Sequence, residues 1–206
     1  MNDATRLVVL RHAETDWNVE QRIQGHADIP LNANGLRQAE RMAAALADEG
    51  IEVIYSSDLQ RAAQTAAALA RVTGLALHTD RALRERAFGS FEGVTFSDIE
   101  RRWPEAARRW RGRDPEFDAD GGETLNTFFQ RSVGAATRLA TRHPGQTVAL
   151  VAHGGVLDCL YRAATRVALD APRTWQLGNA SINRLLHSDQ GLALVGWNDS
   201  AHLEAP

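Results

Sequence analysis

Lysine is missing from all 206 residues. The 23 Lys and Arg positions are all arginine, set against 26 Asp and Glu for a net charge of −3. Without an ε-amino group no Schiff base can form, which excludes pyridoxal enzymes and lysine aldolases. There is no P-loop lysine and no kinase strand lysine either, so the common ATP cradles are excluded. Any phosphate bound here must be neutralised by Arg, His, backbone N–H groups or a metal. A genome that favours arginine codons accounts for the bias, and the chemical exclusions hold whatever its cause. Cysteine is nearly absent too. Cys159 stands alone, so no internal disulfide is possible and a reducing cytoplasm is the expected compartment. Long hydrophobic runs are lacking near the start, where Met1–Arg6 precedes only Leu7-Val8-Val9-Leu10. That run is too short for a signal peptide or a membrane span. The near-neutral charge balance points away from nucleic acid as a partner.

What is present reads as one globular domain, residues 1–206. A chain of this length buries roughly 70% of its unfolded surface, and the 44% apolar and 24% charged fractions are ordinary for a soluble domain. Leu7–Leu10, Val53–Tyr55 and Thr147–Ala152 are short continuous apolar runs, as in strands buried on both faces of a parallel sheet. Leu75–His78 is a third, weaker strand candidate in chain order. Helical spacing covers Asn34–Asp48, with Gly50 as a stop signal. A second helix runs from an Asp58 cap to about Val72, with Gly74 closing it. Glu123–Arg142 and Val156–Thr165 read as two further helices. Ile182–His187 and Leu192–Trp197 flank a turn and predict an antiparallel hairpin. The alternation predicts a three-layer α/β/α sandwich around a mostly parallel sheet. The less regular stretch at about 90–122 is expected to be a small cap-like excursion.

Ligands in such sheets bind beyond the carboxyl ends of the strands. Two predicted strands end there in histidine, at Arg11-His12 and His153-Gly154. The Val53–Tyr55 strand leads to Arg61, and the segment after the third strand delivers Glu85. Each residue alone has an ordinary reading: a structural histidine, a surface arginine, a solvated Glu85 between Arg84 and Arg86. Together they suit phosphoryl transfer. An imidazole attacks phosphorus, two guanidiniums hold the equatorial oxygens, and a carboxylic acid protonates the leaving alkoxide. With this much positive charge, neither metal nor cofactor is required. The seven histidines show no pair at ligand spacing.

The stretch Arg11-His12-Ala13-Glu14-Thr15, continued by Asp16-Trp17-Asn18, resembles the signature of the histidine phosphatase superfamily, the phosphoglycerate mutase-like proteins. The similarity continues in order through Gly35, Ser56-Ser57-Asp58-Leu59-Gln60-Arg61, Leu83-Arg84-Glu85, Gly89-Ser90-Phe91-Glu92-Gly93, Gly121-Gly122-Glu123-Thr124, His153-Gly154-Gly155 and Gly178-Asn179-Ala180-Ser181. The resemblance implies that His12 is the nucleophile and that Arg11, Arg61 and His153 form the phosphate pocket. Asn18 and the Gly154 N–H would add hydrogen bonds, and Glu85 would be the general acid and then the base. Glu14 would hold the loop through backbone hydrogen bonds. Gln24, Gly25 and His26 follow the first loop and are placed to touch the leaving group, with an ordinary surface residue as the alternative for His26.

The resemblance covers both phosphatases and cofactor-dependent phosphoglycerate mutases. Mutases of this kind resemble longer chains with an insertion between the acid and the second histidine. Here Glu85 and His153 are 68 positions apart, and no lysine follows the acid. A metal-independent phosphomonoesterase is therefore expected, with the mutase as the alternative. Specialised phosphatases for α-ribazole phosphate or glucosyl-3-phosphoglycerate are further alternatives. The expected partner is a small phosphorylated metabolite, not nucleic acid or membrane, and a homodimer is an expectation from the family alone. The arginines of residues 101–113 give a local charge of +5, beside −5 over residues 114–123. The pattern predicts a solvated helix paired with an acidic loop, against the alternative of a cap that attracts anions. Trp103, Trp110 and Phe117 suit either a substrate pocket or the core of the excursion.

Overall fold

Six strands form one sheet in the order β3-β2-β4-β1-β5-β6 in the computed structural model, which describes residues 4–204. They are β1 (Thr5–Arg11), β2 (Val53–Ser56), β3 (Leu77–Thr79), β4 (Thr147–Ala152), β5 (Ile182–Ser188) and β6 (Gly191–Asp199). The first four in that order are parallel. β5 runs antiparallel to β1, and β6 returns along β5 as the expected hairpin.

The apolar runs are continuous because both faces of the central strands are covered. Leu7, Val9, Val148, Leu150 and Ala152 pack beneath α6 (Leu125–Thr141) and α7 (Gly154–Thr165). The alternate residues Val8, Leu10, Ala149 and Val151 pack beneath α2 (Ala33–Ala45) and α3 (Gln60–Thr73). The period of two in strand side chains thus divides one apolar run between two cores. The expected three-layer sandwich is the architecture observed. Among the described residues, no helix is long and apolar enough to cross a membrane.

Two local expectations are corrected. Asp58 does not cap α3; both its oxygens are taken by Arg84, at 2.7 and 2.6 Å. The Gln60 N–H is capped instead by the Asp28 carboxylate, 2.7 Å away and 32 positions earlier. A bidentate charged pair holds Asp58 more strongly than a single N–H would. The stretch at about 90–122 is more regular than its composition suggested. It forms α4 (Phe96–Arg102) and α5 (Pro104–Arg111) around a small core of Ile23, Phe91, Ile99, Ala107 and Phe117. Trp103 and Trp110 pack against that core.

The signature loop after β1 is held by α2. The short α1 (Asp16–Val19) starts with a capping box in which Thr15 and Asn18 bond each other's backbone N–H. The Asn32 N–H donates to the Glu14 carbonyl, and the Asn32 and Asn34 amides donate to Glu14 Oε1. Glu14 therefore fixes the loop with its side chain as well as its backbone. Gly35 makes this approach possible, because a Cβ there would sit 2.0 Å from the Glu14 carbonyl oxygen. Replacing Gly35 with Ala should push α2 off the loop and cost about 1–3 kcal/mol, as overpacking does. Urea unfolding should show a lower midpoint with an unchanged slope; an unchanged midpoint would refute the close-approach argument.

Candidate active site

The parallel register of β1 and β4 sets the site. Arg11 lies opposite Ala152, so the next residues of both strands, His12 and His153, leave the sheet side by side. Their ring centroids are 5.2 Å apart, and the His12 N–H donates to the Ala152 carbonyl at 2.9 Å. β2, on the other side of β4, leads to Arg61 in the first turn of α3. Glu85 follows β3. A cleft of about 420 Å³ at these strand ends is lined by Arg11, His12, Arg61, Glu85 and Gly154 together with Asn18. Gln24 and Gly25 also line it. His153 lies fully buried behind His12 and Arg61.

The two imidazoles carry their protons on opposite nitrogens. His12 Nδ1 is 2.7 Å from the Ala13 carbonyl, which can only accept, so Nδ1 carries the hydrogen and Nε2 keeps its lone pair. Arg61 Nε donates to His153 Nδ1 at 3.2 Å. The His153 proton therefore lies on Nε2, which is buried without a partner. Burial, then the charges of Arg61 and Arg11, hold the His12 imidazole well below the ordinary histidine range. Burial and Arg61 do the same to His153. Both rings are neutral near pH 7, one with a free lone pair on Nε2 and the other with its hydrogen there.

The cations beside them are desolvated. Burial lowers the pKa of Arg11 and of Arg61 to about 10, with Glu85 opposing the shift in each case, so both remain charged at neutral pH. Arg11 Nη1 donates to the Leu177 carbonyl, while its Nε is buried and unpartnered. Arg61 is fully buried. It donates to the carbonyls of Gly25 (2.7 Å) and Ala27 (2.8 Å), which leaves two of its five N–H groups free. Gly25 thus acts through its carbonyl, as an anchor for Arg61. The Gln24 side chain is buried at the cleft wall with Oε1 unpartnered.

Glu85 is clamped from several sides. Its Oε1 accepts from the Arg86 N–H (2.8 Å) and its Oε2 from the Gly155 N–H (2.9 Å). Arg131 on α6 donates to the carbonyls of Ala82, Arg84 and Glu85. Glu123 receives Arg131 through both oxygens and also accepts from the Ala87 N–H. His26 is not merely a surface residue, because its Nε2 donates to the Glu85 carbonyl at 2.9 Å. Glu92 accepts from the His26 and Phe88 N–H groups, which ties the loop after α1 to the cap.

Asn18 Oδ1 accepts from Thr15 and from Asn179 Nδ2 (3.2 Å), leaving its own amide donors for the cleft. Asn179 also donates to the His12 carbonyl. Gly154 opens α7, where the first N–H groups have no helical partner and favour an anion. Sequence reasoning assigned no role to Arg131 or Asn179. Arg131 interrupts the apolar face of α6, and Asn179 lies in the Gly178-Asn179-Ala180-Ser181 motif; those were the available signals. Within residues 101–113, Arg101, Arg108, Arg109 and Arg111 pair with Asp98, Glu105, Asp114 and Glu100 on the surface. Arg113 departs from this pattern and lines the cleft, as do Trp110, Phe88 and Phe96.

Stability should respond to the buried imidazoles. Both folded-state pKa values lie below the unfolded value of about 6.5. Above that pH neither state binds the protons, and the contribution is complete. As pH falls below it, the unfolded chain takes up protons first, at a cost of about 1.4 kcal/mol per pH unit for each imidazole. The urea midpoint should fall between pH 6.5 and 5.5, and less steeply in His153→Gln. Equal slopes in the two proteins would show that His153 is not held neutral.

Residues 7–200 match the histidine phosphatase superfamily (branch 1). The chain is similar to phosphoglycerate mutase-like protein 4 of Arabidopsis thaliana, 39% identical over 98% of this chain and 88% of that protein. It is 34% identical to a metal-independent phosphoserine phosphatase of the same plant, over 99% of this chain and 85% of the relative. Among solved structures, a mycobacterial glucosyl-3-phosphoglycerate phosphatase superposes with a TM-score of 0.84 at 35% identity, covering 95% of this chain and 99% of that one. The chain therefore belongs to the histidine phosphatase superfamily, branch 1.

Proposed function

We propose that the protein is a metal-independent phosphomonoesterase that works through a phosphohistidine on His12. The observation that carries this reading is the opposed tautomers of two neutral, buried imidazoles flanked by two desolvated guanidiniums. His12 Nε2 offers its lone pair to phosphorus, and the bond from phosphorus to the leaving oxygen breaks in line. Arg11 Nε, the free N–H groups of Arg61, His153 Nε2–H, the Asn18 amide and the Gly154 N–H hold the equatorial oxygens. The two guanidiniums among these donors are already desolvated by burial, which strengthens their pull on developing charge. Glu85, as the acid, gives its proton to the leaving alkoxide. As the carboxylate it then takes a proton from water, which attacks the phosphohistidine and releases phosphate and the free imidazole. Burial of Arg11 and Arg61 before substrate arrives means their dipoles need not reorganise during transfer.

The substrate side of the cleft is cationic. Six arginines line it against two carboxylates, Glu85 and Asp158. That balance favours a leaving group with an anion of its own, as in the phosphoserine or glucosyl-3-phosphoglycerate of the relatives, over α-ribazole phosphate. Phosphoglycerate mutase activity remains the second reading, favoured by the name of the 39% identical relative. It requires 3- to 2-phosphoglycerate conversion to outpace phosphate release.

The test is phosphate release from p-nitrophenyl phosphate with EDTA present. Wild-type protein should turn over, and His12→Ala should show none. Glu85→Gln should lose about 10²–10⁴-fold in kcat on alkyl phosphates. The loss should be smaller on p-nitrophenyl phosphate, whose leaving group needs little protonation. Loss of activity in chelator with recovery on adding a divalent metal would overturn the mechanism.

A further inference from the structure

We propose that Asn198 is a positioning residue for Arg11, acting across the peptide that joins Leu177 to Gly178. This rests on the phosphatase reading above, in which Arg11 holds the transferred phosphate. It also gives a role to a bulge in β6 that the sheet itself does not require.

Residues 166–181, between α7 and β5, form no helix or strand. Loops of that length in a packed domain usually carry function. This one touches the site three times. The Leu177 carbonyl accepts from Arg11 Nη1, the Ser181 carbonyl accepts from the Arg11 N–H (3.2 Å), and the Asn179 amide donates to the His12 carbonyl (3.1 Å). The Leu177 side chain is buried in the core that α6 and α7 cover. That burial fixes where the peptide lies but not how it is turned.

The other end of the same peptide turns it. The Leu177 C=O and the Gly178 N–H belong to one planar trans unit and point in opposite directions. The Gly178 N–H donates to Asn198 Oδ1 at 2.7 Å, so Asn198 holds one side of the plane and Arg11 the other. The neighbouring Gln176 carbonyl accepts from the Trp197 indole N–H at 2.9 Å. Two consecutive residues of β6 thus grip the loop on both sides of Leu177.

Regular strand geometry forbids that grip, because neighbouring side chains point to opposite faces. Here the pairs Ile182–Asp199 and Arg184–Gly196 leave Asn183 alone opposite both Trp197 and Asn198. This is a β-bulge, a feature that re-aims side chains and recurs beside active sites. Asn198 is in the left-handed region at φ 54, a conformation that asparagine tolerates better than most residues. Its N–H donates to Oδ1 of the fully buried Asn183 at 2.7 Å, and Asn183 Nδ2 donates to the Val9 carbonyl at 3.0 Å. The contacts therefore begin and end on β1, running from Val9 through Asn183, Asn198 and the 177–178 peptide to Arg11. They fix Nη1 and leave the buried, unpartnered Nε of Arg11 at the cleft. A guanidinium free to turn would meet phosphate oxygens in poorer geometry.

The experiment measures the Kd of inorganic phosphate by isothermal titration calorimetry, with kcat/KM for p-nitrophenyl phosphate alongside. Asn198→Gly keeps the backbone conformation and removes the acceptor, whereas Asn198→Asp keeps both. In Asn198→Gly the Kd should rise and kcat/KM fall by about tenfold, within the range of coupled neighbours. Asn198→Asp should stay within about threefold of wild type, as a conserved acceptor requires. In an Arg11→Gln background, Asn198→Gly should lower kcat/KM by less than about threefold, because the group it positions is gone. Lost stability alone would reduce the folded fraction and leave the Kd of the folded protein unchanged. A Kd in Asn198→Gly within about threefold of wild type, an equal rise in Asn198→Asp, or an undiminished effect in Arg11→Gln would overturn the proposal. If Asn198→Gly does not fold, Trp197→Phe decides, since it keeps a ring and removes the indole N–H. Its Kd should rise by about threefold or more, and an unchanged Kd overturns the proposal. Wild-type turnover with an unchanged Kd in the variants refutes only this inference, whereas no turnover by wild type refutes the phosphatase reading beneath it.

Discussion

The parallel pairing of β1 with β4 is the constraint on which the site depends. Because Arg11 and Ala152 share a register position, two residues 141 positions apart in sequence leave the sheet as neighbours. The pairing costs loop-closure entropy, which the apolar runs on both faces offset. Every other site residue is placed relative to this pair. β2 brings Arg61 to the outer side of β4. Asn179, just before β5, reaches back to the His12 carbonyl on the other side. A one-residue slip would exchange the two faces of β4 and turn His153 away from His12.

Buried charge is the second organising feature. Placing Arg61 in a fully buried position is unfavourable unless its donors are used. It therefore recruits the Gly25 and Ala27 carbonyls and the His153 ring. In doing so it orders the loop after α1, sets the tautomer of His153 and lowers both imidazole pKa values. Arg131 works in the same way on the acid side, where three carbonyls and Glu123 fix the segment that carries Glu85. The planar guanidinium fork suits both tasks, since a single ammonium could not bridge so many acceptors in fixed directions. A chain without lysine thus uses its arginines both as the cations that line the cleft and as internal braces.

Most of the fold was legible. Thr147–Ala152 matches the strand end to end, and Gly74 closes α3 with the left-handed backbone expected of a helix stop. These features are local, governed by periodicity and backbone stereochemistry. Asp58 was misread because capping propensity is weak beside a bidentate pair with Arg84, which is near only after β2 and β3 have paired. The helix α5 falls within the solvated helix expected over residues 101–113, whereas α4 was missed because it is short and buries Ile99 in one core with Ile23 and Phe91 rather than showing a pattern of its own. The aromatic ambiguity resolved both ways: Phe117 is core, whereas Trp110 is shared between that core and the cleft.

The amino-acid sequence by itself determined the chemical inventory: no lysine, one cysteine, histidines at two strand ends, and the ordered motifs that mark the family. Residue type sets which protons and charges are available, and short-range stereochemistry sets where strands stop. Only the tertiary structure decided which nitrogen of each histidine carries its proton, which arginines brace and which face the cleft, and that a bulge turns Asn198 toward the loop before β5. Those properties arise from burial and from partners distant in the chain. They depend on local dielectric and hydrogen-bond geometry, which exist only once the layers have packed.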